Sequence, residues 1–148
     1  MPEPLIETIS AALLATLATQ TTGNGYHHTV TWHRSQRLEF IAKSPSEFTG
    51  VIHQTDASLA GEPSTIKSEW LQGYELEIIL PEQNTARAAN RVFGDIQKII
   101  NANRTFSAGM LPGTLIDSFR INTDAARVTL IVGLTVHYRT AFADPETA

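Results

Sequence analysis

Five histidines are the residues of this 148-residue chain best suited to metal binding or acid–base chemistry, and their spacing disfavours a shared site. His27 and His28 are adjacent, so a strand would point their side chains to opposite faces. His27 and His33 would share a face about 20 Å apart, too far to hold one metal ion. His53 and His137 could meet only through a tertiary contact that the spacing does not predict. We therefore expect no metal site.

Catalytic and cofactor-binding motifs are absent from the sequence. It contains no phosphate-binding loop, dinucleotide-binding glycine motif, serine-hydrolase elbow or His-Glu-x-x-His zinc motif. The chain has no cysteine, which excludes thiolate zinc sites and cysteine nucleophiles. Serine, histidine and aspartate occur, but no local spacing selects a triad. We expect no catalytic residue, no cofactor and therefore no enzyme.

Nucleic-acid binding is also disfavoured. The net charge is −4, and lysines and arginines are scattered rather than clustered. Trp32 and Trp70 could stack on a base or a sugar, but basic side chains do not cluster beside them, so both are predicted to fill the core. Glu3 and Glu7 lie where a signal peptide would carry Lys or Arg, so we expect synthesis in the cytoplasm and no membrane partner.

The elements follow from the spacing of apolar residues. A 3.6-residue period predicts helices over residues 4–19 and 85–101. Alternation predicts strands over residues 26–33, 37–43, 50–54, 69–80, 115–122 and 127–140. Residues 55–68 are predicted as a long loop, 123–126 as a turn and 141–148 as a short tail. These elements predict one α+β domain over residues 1–148, a mostly antiparallel β-sheet flanked by two α-helices.

Two predicted surfaces lack the charges that a solvated surface normally carries. Only 18% of the residues are charged, against about 25% in typical domains. On the first helix, the face opposite the apolar stripe consists of Thr8, Ala11, Ala15 and Ala18. On the last strand, the face opposite the core consists of Thr129, Ile131, Gly133, Thr135, His137 and Arg139. We expect the strand face to be covered, by the chain's own helix or by a neighbour, and both faces are candidate subunit interfaces.

The second helix has a clear apolar stripe that includes Val92, Ile96 and Ile99. Asp95 lies four residues after Arg91 and three before Lys98, so the spacing predicts surface ion pairs on the outer side of the helix.

Several short motifs occur in the same order as in a known family. They are Gly25-Tyr26 followed by Val30 and Arg34, Asp95-Ile96 in the second helix, and Val136-His137-Tyr138-Arg139-Thr140 followed by Asp144-Pro145. With the order of elements, they resemble the tail terminator, or tail completion, proteins of long-tailed bacteriophages. The resemblance covers nearly the whole chain, although each motif is short.

The resemblance implies a structural virion protein. Six copies would close into a ring on the last ring of tail tube protein, stop tube growth and present the opposite side to the neck proteins of the head. The implied location is the head–tail junction, with genome DNA passing through without specific binding. Alternatives are another head-closure, connector or tube component of a virion, or a ligand-binding domain or enzyme whose site is assembled from distant residues.

Overall fold

The alternating apolar segments pair into one sheet. The computed structural model describes residues 4–34, 48–59, 67–80, 85–106, 110, 114–124 and 127–141. Its strands are β1 (Val30–Arg34), β2 (Phe48–Leu59), β3 (Lys67–Leu80), β4 (Leu115–Asp124) and β5 (Arg127–Ala141). They lie in the order β1-β2-β3-β5-β4, with β1 parallel to β2 and the other pairs antiparallel. The α+β class and the mostly antiparallel sheet are confirmed.

Two helices, α1 (Leu5–Leu17) and α2 (Thr85–Ala102), flank the sheet on one face. The apolar stripe of α1 packs into the same core as the stripe of α2 and the inward side chains of β3 and β5. Alternate residues of β5 from Leu130 to Tyr138 are buried, as the alternation predicts. Within the described residues, neither helix is long and apolar enough to cross a membrane.

The predicted long loop at 55–68 is too long at both ends, because β2 extends to Leu59 and β3 begins at Lys67. After a bulge between Gln54 and Ala57, β2 resumes pairing with β3 as far as Leu59. The Gln72 amide donates to the Thr55 carbonyl at 2.9 Å, which satisfies a backbone group that the bulge leaves unpaired. This side-chain bond is invisible to a search for periodicity. Residues 60–66 lie outside the described part of the chain.

The first strand is shorter than predicted, since β1 begins at Val30 rather than at residue 26. The preceding residues form a 3₁₀ turn over Thr22–Asn24, ended by Gly25 at φ 90°, a conformation that favours glycine. The predicted strand at 37–43, residues 125–126 of the predicted turn and residues 142–148 of the predicted tail lie outside the described residues. Thr123 and Asp124, predicted as turn, are the last residues of β4.

Polar contacts attach α1 to the sheet. The Ser10 hydroxyl lies 2.7 Å from the Tyr74 hydroxyl and donates to Gln54 Oε1 at 3.2 Å. Burial raises the pKa of Tyr74 to about 12, although the bond to Ser10 opposes this shift. At the sheet edge, Arg34 donates to both carboxylate oxygens of Glu7, at 2.7 and 3.0 Å. This bidentate hydrogen bonding lowers the pKa of Glu7.

Both tryptophans are used structurally. Trp32 is buried and its indole donates to Gln20 Oε1 at 3.3 Å. Trp70 is half-buried, packs against the core and donates to Thr140 Oγ1 at 3.3 Å. Each indole N–H therefore has a partner, as buried tryptophans require.

Candidate interaction surfaces

The helices cover one face of the sheet, and the predicted back face of β5 lies on the other, which we call the open face. The open-face residues of β5 are Thr129, Ile131, Gly133, Thr135, His137 and Arg139. Ile131 is 8% exposed and the others are half-buried, although neither described helix packs on this side. Coverage by the chain's own α1 or α2 is therefore wrong, and coverage by a neighbouring molecule stays a prediction.

Gly133 leaves room for side chains of the neighbouring edge strand. A bulge between Ile116 and Ser118 turns the side chains of Asp117 and Ser118 over the β5 backbone. A Cβ at position 133 would collide with Ser118 Oγ and Asp117 Oδ1. Thr135 donates a hydrogen bond to Asp117 Oδ2, which holds this arrangement.

Gly73 on β3 has a similar close neighbour. A Cβ at Gly73 would collide with the hydroxyl of Thr55, which lies in the bulge of β2. With two glycines at its floor and a bulge on each side, the open face forms a concavity of about 390 Å³. Glu75 and Asp117 bring negative charge to its lining, and Arg120 brings positive charge. This concavity could receive a polar or cationic side chain.

Charge on the open face is concentrated on β3, in Glu69, Glu75 and Glu77. His137 Nε2 lies 3.3 Å from a Glu69 oxygen, and His53 Nε2 lies 3.8 Å from a Glu77 oxygen. The two histidines thus lie near different carboxylates and do not share a site. Within the described residues, no group of three or more metal-ligating side chains is present.

The small-residue face of α1 points outward. Thr8, Ala11, Ala15 and Ala18 are all exposed, whereas the leucines and Ile9 of the opposite stripe are buried. The helix therefore presents a smooth surface without charge, on which another backbone could approach closely.

The edge strand β4 exposes apolar side chains that the sequence analysis did not single out. Leu115, opposite Thr135, lies on the open face and is 51% exposed. Phe119 and Ile121 lie on the helix side of the sheet and are 38% and 37% exposed. Phe119 stacks on Phe93 of α2 with ring centroids 4.2 Å apart, so part of this surface continues onto the helix. Edge strands with exposed apolar residues are favourable sites for association.

Asp95 has a different role from the predicted surface ion pairs. Its side chain is buried, and its Oδ2 accepts a hydrogen bond from the His27 backbone N–H at 2.9 Å. Oδ1 of Asp95 lies 2.9 Å from Nδ1 of the His27 ring, which is half-exposed. The predicted pairing with Arg91 and Lys98 is wrong, because this carboxylate anchors the loop before β1 to α2.

A sequence signal for this burial existed. Asp95 follows Val92 by three residues and precedes Ile99 by four, and both are fully buried. Positions at this spacing share a helix face, so Asp95 lies at the edge of the apolar stripe.

Compared with models of known protein families and with curated proteins, the chain has no significant match. Function is therefore inferred from the surfaces described above and from the resemblance in the sequence.

Proposed function

We propose that this chain is a structural subunit of a ring, of the kind formed by the tail terminators of long-tailed bacteriophages. The observation that carries the proposal is the open face, where β5 presents half-buried and largely uncharged residues with no described helix over them. A single strand face in water would normally carry charged residues at alternate positions, whereas β5 carries none from Thr129 to Thr135, and the charge of the open face lies on β3 beside it. A neighbouring subunit would complete the coverage of this face.

The resemblance adds a second line of support. Two of its motifs, Gly25-Tyr26 and Asp95-Ile96, are distant in sequence, and Asp95 binds His27, the residue after the first motif. The second motif thus contacts the residue that directly follows the first. Such a contact gives a physical reason for the two motifs to occur together.

In this proposal, six copies cap the tail tube protein on one side and contact the neck protein of the head on the other. Each copy has a net charge of −4, so the ring repels the phosphate backbone of the DNA passing through it. A ring needs two different complementary patches on each copy, and the small-residue face of α1, the open face and the β4 edge are candidates.

Deleting the gene from the phage that encodes this chain tests the proposal. We expect unjoined heads and tails of abnormal length, with both defects repaired by supplying the chain from a plasmid. Electron microscopy of labelled wild-type particles should place it in a six-fold ring at the head–tail junction. Normal particles after deletion would refute the proposal, and a label on the tube or the head vertex would favour a tube or head-closure role.

One observation favours the enzyme alternative. The His27 imidazole is half-exposed and is hydrogen-bonded to a buried carboxylate, which is how a general base is oriented in hydrolases. His27→Gln separates the two roles: a particle that assembles normally without this imidazole has no need of acid–base chemistry at His27. A substrate whose turnover stops in His27→Gln would instead support an enzyme.

A further inference from the structure

The outward face of α2 carries a stripe of positive charge. Arg87, Arg91, Gly94 and Lys98 follow one another at spacings of four, three and four residues, so they lie on one side of the helix. This side is opposite the buried residues Val92, Ile96 and Ile99. We call these four residues the basic stripe.

In the described part of the chain, the basic stripe has no carboxylate partner. Asp95 is the only acidic residue between positions 85 and 106, and it is buried against His27. Arg87 and Lys98 are exposed, and no ion pair joins the stripe to a carboxylate within the described residues. Arg87 and Lys98 thus present two exposed positive charges on one helix face, with the half-buried Arg91 between them.

Gly94 lies in the middle of the basic stripe, where it leaves the helix backbone uncovered by a side chain. A Cβ at this position would meet no atom within 4 Å, so the domain's own packing does not require glycine. Glycine within a helix costs about 1 kcal/mol relative to alanine. Close approach by another backbone would explain a residue that the isolated helix disfavours.

The open face has the complementary character. Glu75 lines the concavity floored by Gly73 and Gly133, and Asp117 stands at its β4 side. Within the described residues Glu75 forms no ion pair, unlike Glu69 and Glu77, which lie beside histidines. The lining holds two carboxylates and one cation, Arg120, so a cationic side chain that enters beside Glu75 would meet a net negative charge.

We propose that the basic stripe of α2 docks on the open face of a second copy of this chain, with a cationic side chain entering the concavity beside Glu75. The two surfaces lie on opposite sides of the sheet, because α2 packs on the core face. Such a contact is heterologous, and it closes into a ring when its rotation divides the circle. This inference rests on the proposed function, for which it assigns the contact between neighbouring subunits.

A second copy fits better than a nucleic acid. The acidic partner surface is present on the same chain, and the net charge of −4 opposes binding to phosphates. Nucleic-acid binding by the basic stripe remains an outcome that the experiment detects.

The test uses two charge-reversed variants supplied to the deletion phage. The helix variant is Arg87→Glu with Lys98→Glu, and the sheet variant is Glu75→Lys. Each alone places like charges at every subunit contact, so we expect roughly a tenfold or greater loss of joined particles. Arg104→Glu is the matched control, because this exposed residue lies beyond α2 and off the stripe.

Supplying both variants together is the decisive arm. An acidic helix then meets a basic sheet face in one contact, and a basic helix meets an acidic face in the next. Alternating copies should therefore restore joined particles towards the wild-type number. Circular dichroism melting of each purified variant checks the fold, and Lys98→Gln with Glu75→Gln provides milder changes if a reversed variant is unstable.

Each other result has a definite meaning. If every variant alone repairs the deletion, the proposed contact between the basic stripe and the open face is refuted, whereas the proposed ring is not. If only the helix variant fails, the mixture stays defective and the variant also loses affinity for a short DNA duplex, the stripe binds nucleic acid instead. If the deletion itself has no effect, the proposed function fails together with the inference.

Discussion

The two faces of the sheet use the same strands in opposite ways. On the core face, β5 presents large apolar side chains that are almost completely buried under both helices. On the open face, the same strand presents threonine, glycine and one isoleucine, followed by His137 and Arg139 at its end, and glutamates line β3 beside it. The core face is completed within the chain, whereas the open face combines low exposure with a polar concavity. Because the strands are shared, stability and association can be altered separately by choosing the face.

The largest expected effect tests this separation on one strand. Val132→Asp places a charge in the fully buried core, where an uncompensated charge costs several kcal/mol, so we expect the domain to be unfolded. Thr129→Asp, on the open face of the same strand, should leave a cooperative melting transition. Circular dichroism on the two purified variants makes the comparison, and equal loss of structure would show that the faces are not independent.

A smaller effect is expected at the anchor of the loop before β1. Asp95→Ala removes two hydrogen bonds and leaves the His27 backbone N–H without its partner, so unfolding should become easier by about 2–4 kcal/mol. Asp117→Ala is the control on the open face, where the carboxylate is exposed to water, and we expect a loss below about 1 kcal/mol. Urea denaturation measures both, and similar losses would contradict the distinction between anchor and surface.

Alkaline pH should destabilise the core through Tyr74. Its pKa is raised from 10.0 to about 12 by burial, so the folded state favours the neutral phenol. This contribution is complete below pH 10 and is lost as the pH rises from 10 to 12, at a cost of about 2–3 kcal/mol. Tyr74→Phe should lose less stability over that interval in urea melts, whereas Ser10→Ala should retain the alkaline decline because it keeps the phenol. An unchanged decline in Tyr74→Phe would assign it to other groups.

The smallest effect on stability is expected on the outer face of α1. Ala15→Lys changes an exposed residue, so the free energy of unfolding should change by less than about 0.5 kcal/mol. If this face contacts a neighbour, the bulky charge should nevertheless reduce the yield of joined particles. Ala15→Ser is the control that keeps a small, uncharged residue. Full repair of the deletion phage by Ala15→Lys would remove this helix face from the interface.

Long, regular patterns in the sequence predicted the fold well. The helical periods of α1 and α2 and the alternation of β5 each agree with the observed elements within a few residues. These patterns are reliable because many residues repeat one physical requirement, which is to face the core. The two candidate surfaces were predicted by the same reasoning, as the faces opposite the buried ones.

Features that depend on one tertiary contact were not predictable in this way. The position of Asp95 at the edge of the apolar stripe indicates burial, but its partner His27, 68 positions earlier, is not indicated by any local pattern. The bulge at Thr55 interrupts the alternation of β2, so the strand beyond it has the appearance of a loop. The concavity needs Gly73, Gly133 and two bulges from separate strands, and no local pattern contains all four.

The pairing of β3 with β5 also determines when the sheet can form. Among the paired residues, Leu80 and Val128 are the nearest in sequence, 48 residues apart. Lys67 and Ala141 are the farthest in sequence, 74 residues apart. Closing such long loops costs entropy before the contacts repay it, so sheets with distant pairings fold slowly. Until β5 arrives, β3 has β2 as its only partner in the sheet order and leaves its other edge unpaired. During synthesis at the ribosome, that edge is open to pairing with the wrong molecule.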